Sequence, residues 1–106
     1  MSEQRTADLV LAEVAAERRR QIEREGWTLE HDDEHTNMEL ARAAVCYAYE
    51  ATRTDYQRET DAGVVPMMWP VEWDESWWKP KDRRRDLIRA AALIIAEIER
   101  LDRNVK

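Results

Sequence analysis

The sequence predicts an all-α bundle of three main helices, over about residues 6–25, 36–56 and 82–102, joined by a long, ordered, tryptophan-rich connection. Three observations carry that expectation. Charged residues make up 38% of the chain and apolar ones 43%, with only two glycines and three prolines, the balance of helices with long solvated faces. Apolar residues recur at spacings of three and four, and capping signals stand at the points where such runs begin. With 106 residues the chain makes one domain, 1–106, with a single modest core burying roughly 65% of its unfolded surface.

The first helix is expected to begin at Thr6 as N-cap and to end before Gly26, with Leu11, Val14, Arg18 and Ile22 along one stripe. Its second half, Glu17-Arg18-Arg19-Arg20-Gln21-Ile22-Glu23-Arg24-Glu25, is nearly all polar. There Glu17 is placed to pair with Arg20 or Gln21, while Arg20 and Arg24 share a face four residues apart. This is either a solvated helix end or an arginine wall facing an anion.

Thr36-Asn37-Met38-Glu39 fits a capping box with Thr36 as N-cap and Glu39 reaching back. The helix it opens presents Leu40, Ala41, Ala43, Ala44, Val45, Ala48 and Ala51, small residues that let neighbouring helices approach closely. It is expected to fray between Thr52 and Tyr56, and disorder is expected only at the termini and over residues 57 to 66.

Residues 61 to 81 hold Pro66, Pro70 and Pro80 together with Trp69, Trp73, Trp77 and Trp78, four of the five tryptophans of a chain that has no phenylalanine. So much aromatic surface argues against disorder, and a connection this long in a small domain is usually functional. Trp73 and Trp77 stand four apart, with Asp74 and Ser76 as caps of one short helical turn. The last helix starts near Asp82, and Leu87, Ala91, Ile94, Ile98 and Leu101 recur at alternating spacings of four and three, a seam expected to be core. Ile88 and Ile95 widen its arc, enough for contact with both earlier helices or with one of them and a second subunit.

Net charge is −6, which opposes attraction to duplex DNA, although Arg83-Arg84-Arg85 suits one small anion. The single Cys46 makes no internal disulfide, and no stretch reaches the roughly 18 apolar residues of a membrane span. A cytoplasmic protein without membrane contact is expected. Cys46 within an alanine-rich helix and Ser76 without a glycine elbow disfavour a nucleophilic hydrolase, and two glycines are too few for a phosphate loop.

His31 and His35, four apart with Asp32, Asp33 and Glu39 nearby, form a nitrogen and oxygen set of the type that holds a divalent metal. The zinc-protease signature needs Glu after the first histidine, where this chain has Asp32. No cofactor is expected; a metal, where bound, would use His31, His35, Asp32 and Glu39. A second constellation joins stacking faces to cations. Trp27, Trp73, Trp77 and Trp78 with Arg20, Arg24 and Lys79, and with His31 and His35 as hydrogen-bond donors, suit a nucleotide-sized ligand. The alternative is that the tryptophans plug the gap between helices.

The order Glu17-Arg18-x-Arg20-Gln21, Glu25-Gly26-Trp27-Thr28, Glu30-His31-Asp32-Asp33-x-His35, Glu39-Leu40-Ala41, Trp77-Trp78-Lys79-Pro80 and Arg84-Arg85-Asp86-Leu87 through Leu101 resembles a family of small α-helical phage and prophage proteins over most of residues 13 to 103. That resemblance implies a phage source and a bacterial host cell, and brings no activity with it. The first half is also similar to the phage branch of MazG-like all-α nucleotide pyrophosphohydrolases. Those enzymes hold magnesium with paired carboxylates at i, i+3, where Glu39 here meets Arg42, and Glu99 with Asp102 is a lone pair near residue 106. The inventory is similar in class to small phage oligomers that sequester nucleotide signals of bacterial defence. The expectation is therefore a noncatalytic, homo-oligomeric binder of a nucleotide-like molecule, with a MazG-like hydrolase and a Trp-loop interaction module as alternatives.

Overall fold

A computed structural model of the chain describes residues 2–25 and 38–104. Among these residues there are four α-helices and no strand: α1 (Glu3–Glu23), α2 (Glu39–Thr52), α3 (Asp55–Thr60) and α4 (Arg83–Arg103), with one 3-10 turn over Glu75–Trp77. The all-α fold is as expected. No helix among them is long and apolar enough to cross a membrane.

Helix α1 starts a turn earlier than Thr6, because Ser2 supplies the cap: its Oγ accepts from the Arg5 N–H at 3.2 Å, and Thr6 Oγ1 donates back to the Ser2 carbonyl. Of the expected stripe, Val14 and Arg18 are buried and Ile22 is half-buried, whereas Leu11 is exposed like every other residue from 2 to 13. The expected caps Gly26 and Thr36 lie outside the described residues. Met38 stands at the N-cap of α2 with φ of 64°, in the left-handed region, and makes no side-chain cap.

The single helix expected over 36–56 is two. Arg53 is extended, and Thr54 opens α3 with a capping box in which its hydroxyl accepts from the Gln57 N–H and the Gln57 side chain accepts from the Thr54 N–H, each at 3.1 Å. Local capping outcompetes continuation. The stretch 57 to 66, expected to be disordered, is thus partly helical and then turns at Asp61–Gly63, where Gly63 takes a φ of 87° that a side chain would strain. Helix α4 begins as expected, with Asp82 Oδ1 accepting from the Arg85 N–H at 2.8 Å.

Helix α4 is the hub, packing broadly on α2 and also on α1. The main core joins Leu40, Ala43, Ala44, Cys46 and Tyr47 of α2 to Ala90, Leu93 and Ala96 of α4, closed by Trp69, Trp73 and Trp78. Alanines on both helices let the backbones approach, as the sequence suggests. A smaller cluster, Val14 with Ile88 and Ala92, seats α1.

The seam read as core is not core in this chain. Leu87, Ile94, Ile98 and Leu101 are 52%, 48%, 52% and 48% exposed. The buried edge of α4 is Asp86, Ala90, Leu93, Glu97 and Arg100, with Ile88, Ala92 and Ala96. Ala90 and Ala96 beside Leu93 admit the close approach of α2, and the charges on that edge are paired. Asp86 accepts from Arg58 Nη2 and from the Lys81 N–H, both at 2.8 Å, and Arg100 Nε donates to Glu97 at 2.6 Å.

Candidate ligand cleft under the tryptophan loop

The tryptophan loop folds inward. Trp69, Trp73 and Trp78 are 4%, 4% and 8% exposed, and their rings cover one another: Trp69 meets Trp73 edge-on at 5.5 Å and Trp78 at 5.4 Å, while Trp78 lies 4.7 Å from the Tyr47 ring. Such edge-to-face contacts are worth about 0.5–1.5 kcal/mol each beyond area burial. Trp73 and Trp78, expected as stacking faces, therefore act as core, the role of the alternative in which the loop fills the gap between helices. Trp77 differs. The short turn expected here forms as a 3-10 turn with Asp74 Oδ1 accepting from the Ser76 N–H at 2.8 Å, and it leaves Trp77 half-buried with its ring 5.6 Å from Trp73. The Ser76 side chain, and then that backbone bond, hold the Asp74 carboxyl below its ordinary pKa.

Two residues pin the backbone around Trp77. The Tyr47 hydroxyl accepts from the Lys79 N–H at 3.1 Å and donates to the Trp77 carbonyl at 3.3 Å. Burial pushes the Tyr47 phenol up, against the opposing Lys79 N–H and the Arg89 charge. Arg89 lies over the Tyr47 ring at 5.8 Å and donates to the Lys79 carbonyl.

The polar end of α1 faces this turn. Glu17, 2% exposed, accepts two bonds from Arg20 at 2.8 Å, one from Arg85 at 2.5 Å and one from Gln21 at 3.2 Å. Its pairing with both Arg20 and Gln21 is as the spacing indicates. Burial works to raise the Glu17 pKa, but Arg20, Arg85 and Gln21 outweigh it and hold the carboxyl below the ordinary range. Arg20 also donates to Glu25 at 3.0 Å, and Lys79 Nζ lies 3.8 Å from the same carboxylate.

Arg20, Gln21, Trp77, Lys79 and Arg89 thus line one narrow cleft, closed on its far sides by Glu17, Glu25 and Tyr47. Its free space is about 10 Å³, near the size of one water molecule. Two polar atoms are buried there without hydrogen-bond partners: the Gln21 amide oxygen and Arg89 Nε. Buried polar groups are paired in the great majority of proteins, and these two orphans, which are not the chain's only ones, belong to residues that line the cleft.

The structure brings together Arg20, Trp77 and Lys79 of the expected site. Arg24 is exposed at the C-cap of α1 and does not line the cleft. Trp27, His31, His35 and Asp32 lie outside the described residues. Glu39, proposed as a metal ligand, is buried at the start of α2, and among the described residues no three His, Cys, Asp or Glu side chains gather as a metal set. Gln21, Tyr47 and Arg89 were not foreseen as lining residues. Their only signal is a polar side chain on the inner face of each of three separate helices.

A larger cavity of about 430 Å³ lies elsewhere, between α2 and the loop, lined by Val45, Cys46, Tyr49, Val65 and Met68 and bordered by the Arg53–Asp61 ion pair. Burial pushes the Cys46 thiol up to about 11, against the charge of Arg42, so the thiol stays protonated at neutral pH. None of the expected site residues lines this cavity.

No protein-family model, curated protein or solved structure matches the chain.

Proposed function

We propose that the chain is a noncatalytic, homo-oligomeric binder of a nucleotide-like small molecule, of the kind phages use to sequester a nucleotide signal in the host cytoplasm. The observation that supports it best is the gathering of three cations, Arg20, Lys79 and Arg89, with the half-buried Trp77 around two orphaned polar atoms. A base stacks on Trp77 for roughly 1–3 kcal/mol. Its polar edge pairs with the Gln21 amide and with Arg89 Nε, and its phosphate takes the place of Glu25 between Arg20 and Lys79. Because the cleft holds little free space, binding displaces Glu25 from both Arg20, at 3.0 Å, and Lys79, at 3.8 Å, and the phosphate replaces both contacts. The resemblance to phage proteins supports the source, and the similarity to nucleotide pyrophosphohydrolases supports the ligand class. The hydrolase alternative would use His31, His35, Asp32 and Glu39 with a divalent metal.

The test is titration calorimetry of wild type and Trp77→Ala against linear and cyclic nucleotides, with and without magnesium. Expected are binding by wild type, recovery of the nucleotide unaltered, and at least a tenfold loss in Trp77→Ala with helicity retained. Equal affinity in the variant rejects the cleft. Hydrolysed product moves the reading to the enzyme.

A further inference from the structure

The chain between α3 and Trp69 stands off α2 as an arch pinned at both ends. At one end Arg53, just past α2, holds Asp61 in an ion pair and donates to Glu50 at 3.1 Å and to the Gln57 carbonyl at 3.3 Å. At the other end Arg42 of α2 donates through Nε to the Met68 carbonyl at 3.2 Å. The next residue, Trp69, is anchored in the core against Tyr47 and Trp78. The two arginines are eleven residues apart, about 16 Å at the rise of a helix.

Two turns stiffen the arch. The Val64 N–H donates to the Asp61 carbonyl at 2.9 Å across Gly63, and the Trp69 N–H donates to the Pro66 carbonyl at 3.0 Å. Between the pins α2 presents Val45, Cys46 and Tyr49, and the arch presents Val64, Val65 and Met68. Closing the arch onto α2 would break its pins, so the cavity of about 430 Å³ between them is preformed. It is open along one side, where Val45, Tyr49 and Met68 are about half exposed.

Size and charge limit what fits. The volume lies in the range of small-molecule sites, roughly 300–1,000 Å³. It is roughly three times the ~150 Å³ cavity that takes one benzene ring. Among the described residues that line it, only Arg53 and Asp61 are charged, and they hold each other. Arg53 also binds Glu50 and lies over the Tyr49 ring at 6.0 Å, so an incoming ion meets no free counter-charge. The Cys46 thiol in the wall stays protonated at neutral pH. Entry of an unpaired charge between such walls is costly, whereas an apolar group gains contacts on both sides. Met68 adds a side chain that adapts to the shape it meets.

We infer that the arch cavity is a binding site for an uncharged, largely apolar small molecule of two or three rings, held between Val45 and Tyr49 of α2 and Val64, Val65 and Met68 of the arch. The site is separate from the cleft at Trp77 and stands whether or not that cleft takes a nucleotide. Its walls are ordered beforehand, so binding fixes little more of the chain.

Two dyes test it. N-phenylnaphthylamine is neutral and brightens on leaving water; anilinonaphthalene sulfonate has the same rings and one negative charge. Titrated into the full chain, the neutral dye is expected to saturate at one per chain, and the sulfonate to bind on the order of tenfold more weakly or less. Val45→Trp fills the cavity from α2 and Val64→Trp fills it from the arch, both at positions partly open to solvent. Each is expected to weaken the neutral dye by about tenfold or more with helicity unchanged. Val71→Trp, at a position 88% exposed and outside the cavity, is expected to bind as wild type does. No saturable binding of the neutral dye overturns the site, as does wild-type affinity in a folded Val45→Trp or Val64→Trp. Equal affinity for the sulfonate overturns the uncharged class.

Discussion

Two edges of α4 follow the same spacing one residue apart and meet opposite fates. Asp86, Ala90, Leu93, Glu97 and Arg100 are buried although three of the five are charged; Leu87, Ala91, Ile94, Ile98 and Leu101 stay largely open although all are apolar. Periodicity identifies a helix and its faces, but the elements packed against it decide which face is covered. The alanine face of α2 packs with Ala90, Leu93 and Ala96, and Arg58 of α3 reaches Asp86 with its guanidinium. A face that carries ions is thus buried by partners specific to them, and a face of plain leucine and isoleucine stays about half exposed.

The largest difference between the edges is expected at Asp86. Asp86→Ala leaves Arg58 buried without its carboxylate partner and is expected to cost about 3–5 kcal/mol in denaturant unfolding. An effect below about 1 kcal/mol would mean that the Glu50 contact alone satisfies Arg58.

Next come Leu93 and Ile94, adjacent residues on opposite sides of the boundary. Leu93→Ala, at a fully buried site, is expected to lose about 2–5 kcal/mol at every protein concentration. Ile94→Ala, at a half-exposed site, is expected to lose about 1 kcal/mol or less. Equal losses at the two positions would place Ile94 in the core.

These two residues also mark what was legible. The helix, its Asp82 cap and its alternating spacing were readable because each depends on residues close in sequence. Which seam would be buried was not, because it depends on Arg58 and on the alanines of α2. The same division holds for the tryptophan loop. Its order and the turn before Trp77 follow from local prolines and Asp74, whereas Trp69 and Trp78 are buried against Tyr47 of α2, far from the loop in the chain, and Trp73 against Trp69. The break at Arg53 is not foreseen because Thr54 falls in the stretch expected to fray and Gln57 in the stretch expected to be disordered, although together they form a capping box. At the cleft, Arg20, Trp77 and Lys79 were named from residue type, while Gln21, Tyr47 and Arg89 become neighbours only when three helices meet.

The last expected effect concerns the ions at the cleft. Glu17 has a folded pKa below its ordinary value of 4.5, so its stabilisation is complete above that value and is lost as pH falls through the lower folded value. Glu17→Gln is expected to cost about 1.5–3 kcal/mol at neutral pH and to flatten the acid limb of stability against pH. An acid limb identical to that of wild type would show that other carboxylates set it.

The cleft itself is tested most simply by a thermal-shift screen of the wild-type chain against linear and cyclic nucleotides, with and without divalent metals. Any ligand that binds only the folded state raises the melting temperature by linkage. The expected result is a rise with at least one nucleotide, which is recovered unaltered and needs no metal. No rise across the panel would contradict nucleotide binding at Trp77.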